Sequence, residues 1–315
     1  MSNYLDFKDK KLYNKVTFKF MYQGENPMSY IPEEKLKELC ESFDGSCGVY
    51  ISLPFANEKF TYCADQKFRA ASTIKIPLLA LLLKDAEEGI TDIETPIPLG
   101  EEGAVCGSGI IKFLSPDVRF SLYDYAILMM IVSDNTATNR VIDAVGIERA
   151  NAFFAENGWS DTYLYKKLFV PAPDQPYGTA STNLTSARDL GDMMSCVYEK
   201  SLVSEDVSNK MLSIMACQQL GKLDKSLRGV YRPGSARAPI TKVPDGRIIM
   251  AQKGGTLAGK ISVSHDAAIM LLPDGRCAVM VVMTESADNN MALEFIKSIS
   301  KSVYDALDGE PEKLS

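Results

Sequence analysis

The chain has 315 residues, a formal net charge of −7 at pH 7 and 46% hydrophobic residues. This length and mixed composition are typical of a globular protein that buries one large core or two moderate ones. The acidic balance, without a basic stripe or interleaved basic and aromatic residues, argues against a nucleic-acid partner.

The seven cysteines include no CxxC pair, and the chain has a single histidine. This pattern gives no basis for a zinc or iron–sulfur site, so we expect no metal and no cofactor. The first 20 residues carry charges throughout and do not resemble a secretory signal, and no run reaches membrane-spanning length. These features predict a cytoplasmic protein without a membrane partner. They leave its oligomeric state open.

The predicted elements begin after an extension of residues 1–33. A helix is predicted in PEEKLKELCESF, residues 32–43, and strands are predicted in CGVYISLP and KFTYCADQKF, between residues 47 and 68. The apolar helical run ASTIKIPLLALLL follows at residues 71–83.

The middle of the chain has the pattern of helices. Ser121 and Asp124 form a capping box before the run Leu122–Val132, and Gly146 stands where a helix would end. LFVPAPDQPYGTASTN, residues 168–183, has three prolines and no helical period. We interpret it as a long loop, a kind of segment that is often functional.

Strands return near the end of the chain. GRIIMAQKGG and HDAAIMLLPDGRCAVMVVMTE predict strands with a hairpin turn at Pro273–Gly275, and an amphipathic helix follows them. Strands at both ends of the chain imply one sheet completed by distant segments, with a cleft between that sheet and the inserted helices. We predict a sheet subdomain of residues 34–66 and 206–315 and a helical subdomain of residues 67–205.

Ser72 and Lys75 open the apolar helical run. Three residues apart on a helix, they share one face, where the lysine amine can take the serine proton and the helix N-terminus favours developing negative charge. A second serine-x-x-lysine pair, Ser298 and Lys301, falls on the exposed side of the final helix. We interpret that copy as a solvated face.

Two further motifs follow in order, Ser133-Asp134-Asn135 and Lys253-Gly254-Gly255. By itself the first would be explained as a helix cap. The order serine-x-x-lysine, serine-aspartate-asparagine, lysine-x-glycine is that of penicillin-recognising serine enzymes. Over residues 35–308 the sequence resembles class A β-lactamases and their wider group of serine hydrolases. The resemblance implies an α/β fold of the β-lactamase/DD-peptidase type, an antiparallel sheet flanked by helices from both chain ends plus an inserted all-helical subdomain.

The resemblance also implies four catalytic residues. Ser72 would form a covalent acyl-enzyme, and Lys75 would activate it, although in this family the acylation base is disputed between the lysine and a glutamate-bound water. Ser133 would relay a proton to the leaving group, and Lys253 would hold the Ser133 hydroxyl and supply positive potential.

Substrate binding is implied for Asn135, Gly255 and Thr256. The backbone N–H groups of Ser72 and Thr256 would form the oxyanion hole. His265 begins a strand, and we predict a structural role for it rather than that of a general base.

The sequence departs from the family pattern at two positions, which concern recognition of the substrate carboxylate and activation of the deacylating water. The middle residue of the third motif is Gly254, which lacks the hydroxyl that meets the substrate carboxylate, although Thr256 presents one two residues along the same strand face. The loop glutamate that positions the deacylating water is also missing, and Leu168 falls near its position. Between Gly158 and Asp189 the carboxylates are Asp161 and Asp174, and Asp174 is the better placed by loop position alone. We nevertheless favour the interpretation of Asp174 as a solvated loop carboxylate.

Three functions therefore remain open. The first is an acyl-enzyme hydrolase acting on a small molecule with an amide, ester or β-lactam group, with atypical deacylation. The second is a slow penicillin-binding or D-alanyl-peptidase-like enzyme. The third is a non-catalytic ligand-binding protein on this fold.

Overall fold

The computed structural model describes residues 29–101, 103–170 and 182–308 of the chain. Eight α-helices and eight strands lie within these residues. The helices are α1 Glu33–Glu41, α2 Lys75–Glu87, α3 Leu122–Ile131, α4 Asn135–Val145, α5 Ile147–Glu156, α6 Ala187–Tyr198, α7 Glu205–Ala216 and α8 Asn289–Asp308. The strands are β1 Ser46–Leu53, β2 Glu58–Tyr62, β3 Lys67–Arg69, β4 Leu184–Ser186, β5 Val230–Tyr231, β6 Ile248–Leu257, β7 Ser262–Leu271 and β8 Cys277–Ser286.

The main sheet has six strands in the order β2-β1-β8-β7-β6-β5. Strand β1 pairs antiparallel with β8, with Val49 opposite Val282, so segments from both ends of the chain complete the sheet as predicted. The other pairs of this sheet are antiparallel as expected, except the two-residue edge pair β5–β6, which is parallel.

The predicted strand KFTYCADQKF is broken in the structure. Cys63 has a φ of +43°, so β2 ends at Tyr62 and the chain turns away from the main sheet. The remainder forms β3, which pairs with β4 in a separate two-stranded sheet, with Phe68 opposite Thr185. Strand β3 leads directly into the turn that carries Ser72.

Both faces of the main sheet are covered by helices. The side chains of Val49 and Ile51 join a core with α1 and α8 on one face, and the side chain of Tyr50 joins the helices between β3 and β5 on the other. Burying an aliphatic side chain of this size stabilises the fold by about 1.5–3 kcal/mol. A Cβ on Gly191 in α6 would lie 2.3 Å from the Tyr50 ring, so only glycine allows this close packing.

Three predicted local signals are present. Ser121 accepts a hydrogen bond from Asp124 N over 3.1 Å at the start of α3. Gly146 has a φ of +78° at the end of α4, and Gly275 has a φ of +85° in the β7–β8 hairpin.

The described residues also bear on the other expectations. Lys301 is exposed and forms an ion pair with Asp305, in agreement with a surface role for the second serine-x-x-lysine copy. No helix in the described ranges combines the length and apolarity needed to cross a membrane. All seven cysteines lie in these ranges, and no disulfide joins them. The subdomain boundaries stay a prediction.

Candidate active site

Ser72 lies in a 3₁₀ turn, Ala71–Ile74, that continues directly into α2. Ala71 has a φ of +46°, a strained conformation of the kind that collects at functional sites. Because Ser72 stands in the first turn of the combined helix, the helix offers its N–H no internal acceptor. The residue is partly exposed.

Ser133 lies in the tight turn between α3 and α4 and has a φ of +56°. The next residue, Asp134, caps α4 by accepting a hydrogen bond from Ala137 N over 3.0 Å. The other carboxylate oxygen of Asp134 accepts hydrogen bonds from the N–H groups of Ile110 and Ile111 over 2.7 and 2.9 Å. One buried carboxylate therefore fixes the turn that carries Ser133.

The amine of Lys75 is directed at this turn. Its Nζ lies 2.8 Å from Ser133 O, 3.0 Å from Ser133 Oγ and 3.0 Å from Asn135 Oδ1. One of the four tetrahedral directions around a lysine nitrogen is taken by its bond to Cε, so these three contacts occupy the other three. The hydrogen bonds of Lys75 Nζ go to Ser133 and Asn135, and none goes to Ser72 Oγ.

Lys253 reaches the same hydroxyl from strand β6. Its Nζ lies 3.0 Å from Ser133 Oγ and 2.6 Å from Gly254 O. Both lysine side chains are fully buried. The Ser133 hydroxyl is thus bridged by two buried amines, an arrangement suited to proton transfer.

Burial sets the electrostatics of these amines. Desolvation, with a contribution from the charge of Lys253, holds the pKa of Lys75 well below its ordinary 10.5, and Asp134 opposes this shift. Burial, with the charge of Lys222, lowers the pKa of Lys253 to about 7, and Asp266 opposes it. Burial thus favours the neutral form of both amines, and the charge of Lys253 disfavours a second positive charge on Lys75.

Strand β6 passes very close to the turn that carries Ser72. A Cβ on Gly255 would lie 2.9 Å from Ser72 N and 3.0 Å from Ala71 Cβ, so only glycine fits at this position. Thr256, the next residue, is exposed beside the cleft. The structure therefore brings the strand that carries Gly255 and Thr256 against Ser72, and it joins Lys75, Ser133, Asn135 and Lys253 in one hydrogen-bond network.

Sequence reasoning missed Lys222. Its Nζ lies 3.1 Å from Gly255 O and 3.0 Å from His265 O, and a Cβ on Gly254 would lie 3.1 Å from the same nitrogen. The amine thus occupies the space beside the glycine that lacks the family hydroxyl. Burial lowers the pKa of Lys222, and the carboxylate of Asp266 opposes this shift. No local pattern around Lys222 signals this position, because it depends on the distant Asp266 carboxylate, which accepts hydrogen bonds from the N–H groups of Lys222 and Leu223.

Leu168 is held beside the network by Asn139. Leu168 N donates to Asn139 Oδ1 over 2.8 Å, and Asn139 Nδ2 donates to Leu168 O over 2.9 Å. Asn139 lies one helical turn after Asn135 in α4. Of the two loop aspartates, Asp161 forms an ion pair with Lys67 over 3.2 Å, and Asp174 lies outside the described residues.

His265 is fully buried, and both of its ring nitrogens have partners. Burial lowers its pKa to about 3. These contacts agree with the structural role that the sequence predicted.

The chain was compared with known proteins. A family model described as the Beta-lactamase enzyme family matches residues 31–307. A beta-lactamase of Proteus vulgaris is 30% identical over 115 residues, which are 36% of this chain and 42% of that relative. The chain thus spans about two-fifths of the length of the first curated relatives that it matches.

Solved structures match over nearly their whole length. The beta-lactamase from Sphaerobacter thermophilus DSM 20745 has a TM-score of 0.75 at 27% identity, covering 90% of this chain and 100% of that chain. PBP-A has a TM-score of 0.72 at 26% identity, covering 91% of this chain and 98% of that chain. One PBP-A structure is an acyl-enzyme complex of a leucine-to-glutamate variant with penicillin G. From the family match over most of its length and from these neighbours, the chain belongs to the beta-lactamase enzyme family.

Proposed function

We propose that the protein is a serine hydrolase that forms an acyl-enzyme on Ser72 with small molecules that carry an amide, ester or β-lactam carbonyl. The observation that carries this proposal is the Ser133 hydroxyl held at 3.0 Å by the two buried amines of Lys75 and Lys253. Burying two lysines so close together is costly. A proton-transfer role explains why both are present.

In the proposed acylation a proton passes from Ser72 to the leaving group through Lys75 and Ser133. For the Ser72 proton to reach neutral Lys75, the amine exchanges its contact with Ser133 Oγ for one with Ser72 Oγ. Ser72 Oγ bonds to the carbonyl carbon, the carbonyl π electrons move to the oxygen, and this oxyanion accepts hydrogen bonds from the N–H groups of Ser72 and Thr256. When the bond to the leaving group breaks, Ser133 gives its proton to that group and regains one from Lys75. Lys253 keeps the Ser133 hydroxyl oriented and stabilises the developing negative charge. Lys75 ends this half-reaction as a neutral amine.

Deacylation is the step for which the site is least equipped. A water must attack the acyl carbon, and Leu168, beside Asn139, offers no carboxylate to activate it. Lys75 is the remaining base in this proposal, because burial lowers its pKa and so favours the neutral amine. We therefore infer that the acyl-enzyme is hydrolysed slowly. The same feature supports the second candidate function, a slow penicillin-binding or D-alanyl-peptidase-like enzyme.

The groups beside Gly254 favour substrates with a carboxylate. Lys222 Nζ lies against this glycine, and the Thr256 hydroxyl follows two residues along the same strand face. On this face of β6 a lysine amine and a threonine hydroxyl are two donors for a substrate carboxylate. We propose that they replace the missing hydroxyl of the family motif.

Mass spectrometry of the intact protein, with a chromogenic cephalosporin added and sampled over time, tests this function. We expect one covalent adduct that persists after the colour burst, that Ser72→Ala abolishes and that Ser298→Ala leaves unchanged. Rapid loss of the adduct with sustained turnover would favour an efficient hydrolase over the slow enzyme. A chain that takes up no adduct from the cephalosporin or a fluorophosphonate, and whose ligand affinity survives Ser72→Ala, would be a non-catalytic binding protein.

A further inference from the structure

The imidazole of His265 joins the main sheet to the segment that carries Ser72. Its Nε2 lies 2.9 Å from the carbonyl oxygen of Arg69, three residues before Ser72. Its Nδ1 accepts the N–H of Thr284 on strand β8 over 3.0 Å. Because Nδ1 accepts, Nε2 carries the proton and donates to Arg69 O. The ring is therefore a spacer of fixed length between β8 and the end of β3.

The surroundings keep this spacer rigid. The ring is fully buried, and its edge meets the ring of Phe68, with centroids 5.7 Å apart and planes at 78°. The low pKa of His265, about 3, keeps the imidazole neutral at physiological pH. The hydrogen bonds to Arg69 O and from Thr284 N then fix the tautomer that carries its proton on Nε2.

The backbone of His265 contacts strand β6 and Lys222. In the β6–β7 register it lies opposite Gly255, and its carbonyl oxygen accepts a hydrogen bond from Lys222, which also donates to Gly255 O. One residue thus contacts both segments that supply the proposed oxyanion N–H groups. The strained Ala71, with its φ of +46°, needs such outside restraint to persist.

We propose that His265 is a positioning residue that sets the spacing between the Ser72 N–H and strand β6, and thereby the geometry of the oxyanion hole. Its kinetic consequence rests on the proposed function. The restraint of residues 70–73 by His265 does not depend on that function.

Two substitutions of His265 each keep one of the two hydrogen bonds of the ring and remove the other. In His265→Gln the side-chain amide reaches the Nε2 position and keeps a donor for Arg69 O. In His265→Asn the shorter amide reaches only the Nδ1 position, so it keeps an acceptor for Thr284 N and loses the bond to Arg69. Ser208→Ala is the matched control, because it removes a buried hydrogen bond to Leu202 O elsewhere in the chain.

The readouts are amide hydrogen exchange of residues 70–73 by mass spectrometry and, with a cephalosporin, the acylation rate constant and the dissociation constant of the complex that precedes acylation. We expect His265→Asn to raise exchange of this segment at least about tenfold and to lower the acylation rate constant about 10–100-fold with little change in the dissociation constant, as for a weakened oxyanion donor. His265→Gln should restore both, and Ser208→Ala should change neither.

Wild-type exchange and acylation in a folded His265→Asn would overturn the inference, and so would equal losses in both His265 variants and in Ser208→Ala. If His265→Asn does not fold, His265→Gln decides: wild-type behaviour supports the proposal, and a folded variant with loss of both readouts overturns it. If the wild-type chain forms no adduct, the proposed function fails, while hydrogen exchange still decides the role of His265.

Discussion

Lys253 Nζ lies 3.0 Å from Ser133 Oγ, although the two residues are 120 positions apart in the chain. Strand β6 and the α3–α4 turn must therefore be placed to within a fraction of an ångström of each other. Burial lowers the pKa of Lys253 to about 7 and the pKa of Lys75, on the other side of the hydroxyl, well below 10.5. Two chemically identical side chains can then take different roles, one as base and one as cation.

This division of roles predicts a pH dependence for acylation. The reaction needs Lys75 without its proton and Lys253 with it. Since Lys253 loses its proton as the pH rises through about 7, the acylation rate constant should fall above pH 7, approaching about tenfold per pH unit. Stopped-flow acylation by a cephalosporin between pH 5 and pH 10 measures this limb.

The control for the pH profile is Lys253→Arg. A guanidinium stays charged over the whole range, so the alkaline limb should disappear even if the rate constant at pH 6 is lower. An alkaline limb near pH 7 that survives in this variant would assign the ionisation to another group and contradict the role of Lys253.

Gly255 provides a steric test of the oxyanion geometry. In Gly255→Ala the new Cβ would lie 2.9 Å from Ser72 N, so β6 and the Ser72 turn must separate. Loss of one oxyanion donor typically costs about 10²–10³ in rate, and we expect a fall of that size in the acylation rate constant. Gly234→Ala, where a Cβ meets nothing within 4 Å, should retain wild-type kinetics. Equal rates in the two variants would exclude a role for this close approach.

Motif order in the sequence predicted which residues meet in the cleft, because each motif falls at the start or end of a helix or on a strand of recognisable pattern. The contacts among them could not be predicted. Lys75 is directed at Ser133 and Asn135 rather than at Ser72, since the position of the α3–α4 turn in space decides its partners. The break of the second strand at Cys63 was missed because the alternation of KFTYC continues without a glycine or proline.

Lys222 was missed for a similar reason, and its charge can be tested directly. We expect Lys222→Met to raise the dissociation constant of a carboxylate-bearing cephalosporin about tenfold, because a hydrogen bond to a charged group contributes about 1.5–3 kcal/mol. The methyl ester of the same compound should bind both proteins equally. If the variant weakens the acid and the ester alike, the lysine supports the strand through Gly255 O and His265 O and does not contact the carboxylate.

Leu168 offers the sharpest test of the proposed slow turnover. Its backbone is bonded on both sides to Asn139, so Leu168→Glu would place a carboxylate in the loop without loss of these bonds. A general base contributes about 10²–10⁴ to rate, so the deacylation rate constant should rise by a factor in this range while acylation changes less than about threefold. Leu168→Gln, which has the same shape without a base, should deacylate like the wild type. Acceleration by both variants would point to water access, and acceleration by neither would mean that Lys75 already activates the water.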